Sequence, residues 1–396
     1  MDMVRDKANH KRILLIANTA RFLVLFEEND MKILKEMGYE IHCASNFAGE
    51  QDETDARSIL EGRGAVTHQI DIARSPLSYG NLRAYRQLAS IMKKYDYQAV
   101  HCHTPMGAVL ARIAARRFGV APVIYTVHGL HFYKGAPLKN WLIYYPIESF
   151  LSGWTDLIIT INREDYGRAK RLHAKHVAYI PGVGIDTARY GQFRAPDEVD
   201  EGRKRAGKIM KELQIPEDAL VLLTVGDLIV RKNQKTVIEA LSKTGRNDLY
   251  YVLCGQGPLK EEYEKMAERL GVGGQIRFAG YRKDVGDFYT MADLFVFPSY
   301  QEGLSVAVME AMANGLPMVL SGIRGNVDLV RDGEGGFLCE PDDAEAFAGR
   351  IELLAEQPEL RRKMGEKNLR EIKKYDLSEA DRRMRRIYRK MLGGAV

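Results

Sequence analysis

What this chain lacks narrows it before what it contains. Its 396 residues include four cysteines, Cys43, Cys102, Cys254 and Cys339, with no Cys-x-x-Cys pair. That spacing makes buried thiols in a reducing cytoplasm the expectation. No apolar run approaches the ~20 residues of a membrane-spanning helix. The N-terminal stretch Met1–Arg12 is polar and charged, unlike a signal peptide. There is no solenoid-type repeat and no low-complexity tract. No Asp-x-Asp occurs, so the usual carboxylate bridge between a metal ion and a diphosphate is missing. A net charge of +5 is a modest excess. It suits small anionic ligands or an anionic membrane surface, and no motif supports nucleic acid.

What is present reads as two α/β domains. Short apolar runs alternate with helical patterns, the signature of parallel sheets covered on both faces. The first series has strands at Ile13–Ala17, Tyr39–Ala44, Ala65–Ile70, Ala99–His103, Val123–Val127, Leu157–Thr160 and Val177–Ile180. One helix is expected from about Phe22 to Met37. A turn-rich break follows at Pro181–Asp186, then a charged connector with a helix up to about Glu217. The alternation restarts with strands at Leu220–Val225, Tyr250–Cys254, Gln275–Ala279, Leu294–Phe297 and Met318–Leu320, and the chain from Ala344 is helical. The expected domains are therefore 1–190 and 191–375, with a basic terminal helix over 376–396.

The most informative stretch is Pro298–Asn314. A strand leads into a loop with Glu302 and Gly303, and Ser305 is a good N-cap for a helix opening at Val306. That helix is apolar nearly all round, so it should be buried, and Glu310 on its second turn is the exception. Two carboxylates flanking a helix N-terminus can grip vicinal hydroxyls while the helix end holds phosphate. Glu302 alone reads as an ordinary loop charge and Glu310 alone as a partly exposed ion pair. Together they read as a polyol clamp.

Glu302-x7-Glu310, with Glu302-Gly303-Leu304-Ser305 and Glu310-Ala311-Met312-Ala313-Asn314-Gly315-Leu316-Pro317, resembles the nucleotide-sugar motif of glycosyltransferase family 4. Those are retaining transferases of GT-B architecture. The resemblance implies two Rossmann-like domains facing a central cleft, the first binding acceptor and the second nucleotide sugar, with the terminal helix returning to the first domain. It implies no cofactor beyond a nucleotide-sugar donor, and His101–Pro105, His128–Gly135 and Ile161–Asp165 look like the capsule and exopolysaccharide branch. A UDP-sugar and a polyprenyl-diphosphate-linked saccharide are the expected partners, in the cytoplasm or on the inner face of the membrane.

Further residues can be read on this frame. Arg231 and Lys232 stand at a helix entrance beyond the Gly226 turn, as a fork and a point charge for a diphosphate. Relatives often carry Arg directly after that glycine. Here it is Asp227, and Arg231 is the substitute. Gly255, in Cys254-Gly255-Gln256-Gly257, resembles the family's loop near the nucleotide. Tyr281 and Arg282 follow Gly280 in the segment that resembles the one facing the base. His128, after a strand, matches the histidine that approaches the transferred sugar. The expected catalytic set is His128, Glu302 and Lys232. The binding set is Arg231, Lys232, Gly255, Tyr281, Arg282, Glu302, Gly303, Leu304, Ser305 and Glu310, with no metal. His101 and His103 share a strand face, but no third ligand is apparent. The loop Asn18–Phe22 lacks the glycines relatives often have. The aromatic and basic stretch Phe132–Pro146 reads either as a membrane-interface patch near lipid phosphates, with Lys134 and Lys139, or as a buried helix. Two other functions fit the same residues: a UDP-sugar epimerase, and a non-catalytic nucleotide-sugar-binding subunit.

Overall fold

The structure, a computed structural model, describes residues 11–48, 53–73, 75, 78–190 and 196–393. Of the polar N-terminal stretch, residues 1–10 lie outside the described residues, as do 191–195 of the connector. Contacts divide the chain into two units, Met1–Val183 with Glu379–Val396, and Gly184–Ser378. Gly184–Tyr190 belongs to the second unit for a visible reason. Ile185 bridges to Asp376, and Thr187 Oγ1 donates to Asp376 Oδ2 at 2.5 Å.

Seven parallel strands form the first sheet: β1 (Lys11–Thr19), β2 (Tyr39–Asn46), β3 (Val66–Gln69), β4 (Ala99–His103), β5 (Val123–Val127), β6 (Leu157–Thr160) and β7 (His176–Tyr179). Their order is β3-β2-β1-β4-β5-β6-β7. Six more form the second: β8 (Leu220–Val225), β9 (Leu249–Cys254), β10 (Ile276–Gly280), β11 (Leu294–Phe297), β12 (Met318–Ser321) and β13 (Gly336–Cys339), in the order β10-β9-β8-β11-β12-β13. Both are doubly wound Rossmann-like sheets. Each reverses direction next to its first strand, between β1 and β4 and between β8 and β11. In such sheets ligands bind outside the carboxyl ends of the strands at that reversal. The strands are buried on both faces, as continuous apolar runs require: Ile13 to Ala17 and Leu294 to Phe297 are wholly inaccessible.

Two local features differ from expectation, and a third decides between two readings. The helix expected over Phe22–Met37 is two helices, Ala20–Phe26 and Glu28–Glu36, broken at Glu27, whose ψ of 6° leaves the helical range. Strand β13 was not anticipated, because it opens on Gly336 directly after Gly333-Glu334-Gly335, a glycine-rich run that reads as a turn. The aromatic helix Leu138–Ser152 is not buried. Leu138, Leu142, Ile143, Tyr145, Ile147 and Phe150 are exposed, while its inward face carries Glu148. Glu148 receives both terminal nitrogens of the inaccessible Arg112, at 2.8 and 2.9 Å, and that guanidinium lies 4.6 Å from the Tyr125 ring centre. This helix is therefore anchored by a charge pair and shows its apolar side outward.

The terminal helix Leu377–Leu392 docks on the first unit through Tyr388, which is inaccessible. Its hydroxyl donates to Asp30 Oδ2 at 2.9 Å and meets His101 Nδ1 at 2.8 Å. All four cysteines are buried and free. Burial pushes the thiols of Cys43, Cys102 and Cys254 up to about 12 and that of Cys339 to about 11. Breaking the Arg112–Glu148 pair from one side leaves an uncompensated buried charge. Glu148→Ala should cost the first unit about 3–5 kcal/mol, read as a lower urea midpoint. Replacing both residues by leucine should cost clearly less.

Candidate active site

The second unit gathers its charged residues at the β8/β11 reversal. The β8 loop runs from Gly226 through a short 3-10 turn, Val230–Lys232, to the helix Lys235–Thr244. The β11 loop holds Pro298–Ser305. Backbone and side-chain bonds fasten the two together. Tyr300 N–H donates to Arg231 O at 2.9 Å, and Asn233 Nδ2 donates to Pro298 O at 3.1 Å and Pro341 O at 2.8 Å. Asn233 sits in the left-handed region at φ 56°, which its short polar side chain tolerates.

Glu302 lies between the two cations that the sequence placed at a diphosphate. Lys232 Nζ donates to its Oε1 at 2.8 Å and Arg231 to the same oxygen at 2.9 Å. Arg231 also donates to Gln301 O at 2.8 Å. Lys232 and Glu302 keep only 11% and 10% of their side-chain surface, so this pair is poorly screened. Lys232 Nζ also lies 4.7 Å from the Phe297 ring centre. Arg324, from the loop after β12, donates to Glu302 O at 3.1 Å. Asp227 is exposed, and its backbone oxygen accepts from Gln234.

The glycines here are packing requirements. Gly226, at φ 154°, leaves room for Lys232, whose Cε would lie 3.3 Å from an added Cβ. Gly255 meets that same turn, and a Cβ on it would lie 2.0 Å from Gly226 O. Gly257 stands equally close to Leu228 O, at 2.3 Å. Gly255 thus shapes the Lys232 loop from behind.

The helix Val306–Ala313 begins as expected, with Ser305 Oγ accepting from Val308 N–H at 3.4 Å. Gly303 lies against Gly325, and Leu304 and Ser305 are buried. Glu310 makes no ion pair among the described residues. Its Oε1 accepts from Tyr190 at 2.8 Å and its Oε2 from Tyr289 at 2.9 Å. Burial lifts this carboxyl above its usual range, and the two phenol hydrogen bonds draw it back. It is a polar group aimed at hydroxyls. Tyr281 is exposed, and Arg282 is held by Asp284 at 2.7 Å and Glu212 at 3.2 Å. Arg282 is therefore engaged within the protein, and Gly280 O accepts from Gly255 N–H at 2.8 Å, which ties this segment to the Gly255 loop.

In the first unit, His128 follows β5 and is half-buried. Phe22 meets its ring edge-on, 4.8 Å between centres, and removal from water pulls its imidazole down to about 4. The residue group Asn18–Phe22 is no open loop, since a helix opens at Ala20 and delivers Phe22 to His128.

Two family descriptions match: "Glycosyl transferases group 1" over residues 206–370 and "Glycosyl transferase 4-like" over residues 12–162. The chain is 39% identical to "Putative glycosyltransferase EpsD" of Bacillus subtilis (strain 168), over 96% of each protein. It belongs to glycosyltransferase family 4. An Escherichia coli relative, the UDP-Gal:alpha-D-GlcNAc-diphosphoundecaprenol alpha-1,3-galactosyltransferase, is 27% identical over 76% of this chain and 80% of its own. Among solved structures, Anabaena Alr3699/HepE in complex with UDP and glucose aligns with a TM-score of 0.78 at 18% identity, covering 96% of this chain and 100% of its own.

Family membership makes the chain a glycosyltransferase with the GT-B fold, which sets aside the epimerase and the non-catalytic subunit. Sequence reasoning missed Tyr190, Tyr289, Asn233 and Arg324. Their partners lie tens to more than a hundred residues away, and none carries a local motif. The packing role of Gly255 can be checked directly. Gly255→Ala should separate the β8 and β9 loops and lower both the melting temperature and UDP affinity. Gly271→Ala, at φ 75° with nothing within 4 Å, should cost only about 1–2 kcal/mol and leave UDP affinity alone.

Proposed function

We propose that this glycosyltransferase moves a hexosyl or N-acetylhexosaminyl group from a UDP-sugar to a polyprenyl-diphosphate-linked saccharide, with retention, in surface polysaccharide biosynthesis. The observation that carries the reading is Lys232 and Arg231 converging on one carboxylate at the β8/β11 reversal. A diphosphate entering there takes over the cations and releases Glu302 toward the sugar. Lys232 and Arg231 then neutralise the leaving diphosphate in place of a metal ion. Glu310 grips the ribose hydroxyls, and Ser305, Leu304 and Gly303 present the helix N-terminus. Gly255 and the Gly280–Tyr281 backbone frame the nucleotide. His128 is assigned to the transferred sugar on the family resemblance of the stretch it lies in. The acceptor hydroxyl attacks on the face the diphosphate leaves, and the diphosphate helps to take its proton.

The donor is supported by HepE, described in complex with UDP-glucose, and the acceptor by the galactosyltransferase whose name carries diphosphoundecaprenol. No helix among the described residues is long and apolar enough to cross a membrane. The exposed apolar side of Leu138–Ser152, with exposed Lys134 and Lys139, supports reversible docking on an anionic bilayer, where a lipid-linked acceptor lies.

Two experiments test this. Removing a charged hydrogen-bond partner costs about 1.5–3 kcal/mol, roughly tenfold to a hundredfold in an equilibrium. Glu310→Gln should weaken UDP and UDP-sugar alike by such factors. Glu302→Gln should leave UDP binding nearly unchanged and lower turnover, since charge develops on the transferred ring. Lys232→Ala should weaken UDP, and turnover should persist in chelator. Equal damage to UDP binding by both glutamate variants, or loss in chelator restored by a divalent ion, sinks these assignments. In flotation with anionic liposomes, the chain should rise at low salt and less at high salt. Leu142→Glu with Phe150→Glu should abolish flotation, and no flotation of the wild type rejects membrane docking.

A further inference from the structure

A buried polar cluster lies behind His128 in the first unit. Glu27, His101 and His103 are all buried, and their ligand atoms lie within 4.8 Å of one another. This spacing resembles a metal site, but both nitrogens of His101 are already engaged. Nδ1 meets Tyr388 Oη and Nε2 meets Thr126 Oγ1, each at 2.8 Å. Two ligands remain, too few to hold an ion in a closed site.

His103 is the informative residue. Its Nδ1 lies 3.2 Å from Glu27 Oε1 and 3.5 Å from His128 Nε2. Its Nε2 is buried and has no hydrogen-bond partner among the described residues. A neutral imidazole carries one proton. Placed on Nε2, that proton would be an orphaned buried donor, the rarer and costlier kind of defect. Placed on Nδ1, it is received by Glu27. His128 Nε2 then faces an N–H and must offer a lone pair, because a second proton there would oppose the first.

We propose that Glu27 and His103 are positioning residues that fix His128 as its Nδ1–H tautomer, so that His128 presents an N–H donor to an oxygen of the transferred sugar. The inference rests on the proposed placement of His128 at that sugar. The relay follows the rule that the hydrogen bond at one imidazole nitrogen decides what the other can do. Phe22 and Phe26 pack on His128, their ring centres 4.8 and 6.4 Å away, and hold the ring in place. Burial holds His101 down to about 3, His128 to about 4 and His103 well below its usual range, so all three are neutral. Asp30 and Tyr388 complete the surroundings of Glu27, whose carboxyl burial pushes well up. The relay requires that Glu27 Oε1 accept from His103 Nδ1; Glu27 Oε2 has no hydrogen-bond partner among the described residues.

The test is long-range proton–nitrogen NMR on the full chain with nitrogen-15-labelled histidine, assigned with His103→Asn and His128→Gln. Both His103 and His128 should show the Nδ1–H pattern at neutral pH. Glu27→Gln, whose amide oxygen still accepts, should preserve it. Glu27→Leu should lose it at both rings and lower kcat about tenfold, the size of one net hydrogen bond, with the donor KM little changed. An Nε2–H pattern for His128 in the wild type overturns the proposal, and so does one equivalent of tightly bound zinc in the purified chain. If Glu27→Leu does not fold, the wild-type and Glu27→Gln spectra still decide. Unchanged turnover in His128→Ala would instead reject the placement of His128 at the sugar while leaving the tautomer result standing.

Discussion

One carboxylate oxygen shared by two cations is the contact on which the second unit's loops depend. Glu302 joins the β11 loop to the β8 loop through Lys232 and Arg231. Neither cation would hold its place against solvent on entropy grounds alone, because both side chains are long and rotamer-rich. The pair also sets a condition on any anionic ligand. Such a ligand must offer the cations at least what Glu302 offers, or the carboxylate stays bound and the site stays closed to it. A nucleoside diphosphate, with several charged oxygens, meets that condition. A neutral sugar does not.

Everything around the pair is arranged to keep its geometry. Gly226, Gly255 and Gly257 let the β8 and β9 turns lie closer than side chains would permit. Asn233 spans the gap between two carbonyl groups on separate loops. The parallel strand order brings these loops together, since β8 and β11 are neighbours although some 70 residues separate Lys232 from Glu302.

Much of this was legible in the sequence, and the limits have physical causes. Buried parallel strands are continuous apolar runs, so β4, β5, β6, β8 and β11 were read with their observed ends. Glu302, Glu310 and the Ser305 cap form a local motif and were visible as one. The convergence of Lys232 on Glu302 was not, because it depends on strand order. Glu27 lies in the run Glu27-Glu28-Asn29-Asp30, within the single helix expected from about Phe22 to Met37; at the break between the two observed helices it is buried beside His103. The Leu138–Ser152 helix offered no periodicity with which to choose a face. The hidden partner of Glu148, Arg112, settled the matter against intuition, with the charge inside and the oily residues outside.

The cysteines have a practical consequence. With all four thiols inside the protein and held far from ionisation, thiol-directed reagents at neutral pH find almost no thiolate to attack. The native chain is thus chemically silent toward maleimides as long as it stays folded. A single cysteine introduced on an exposed helix of either unit would be the one reactive handle. A fluorophore placed there would be read against an unlabelled background for as long as the fold holds.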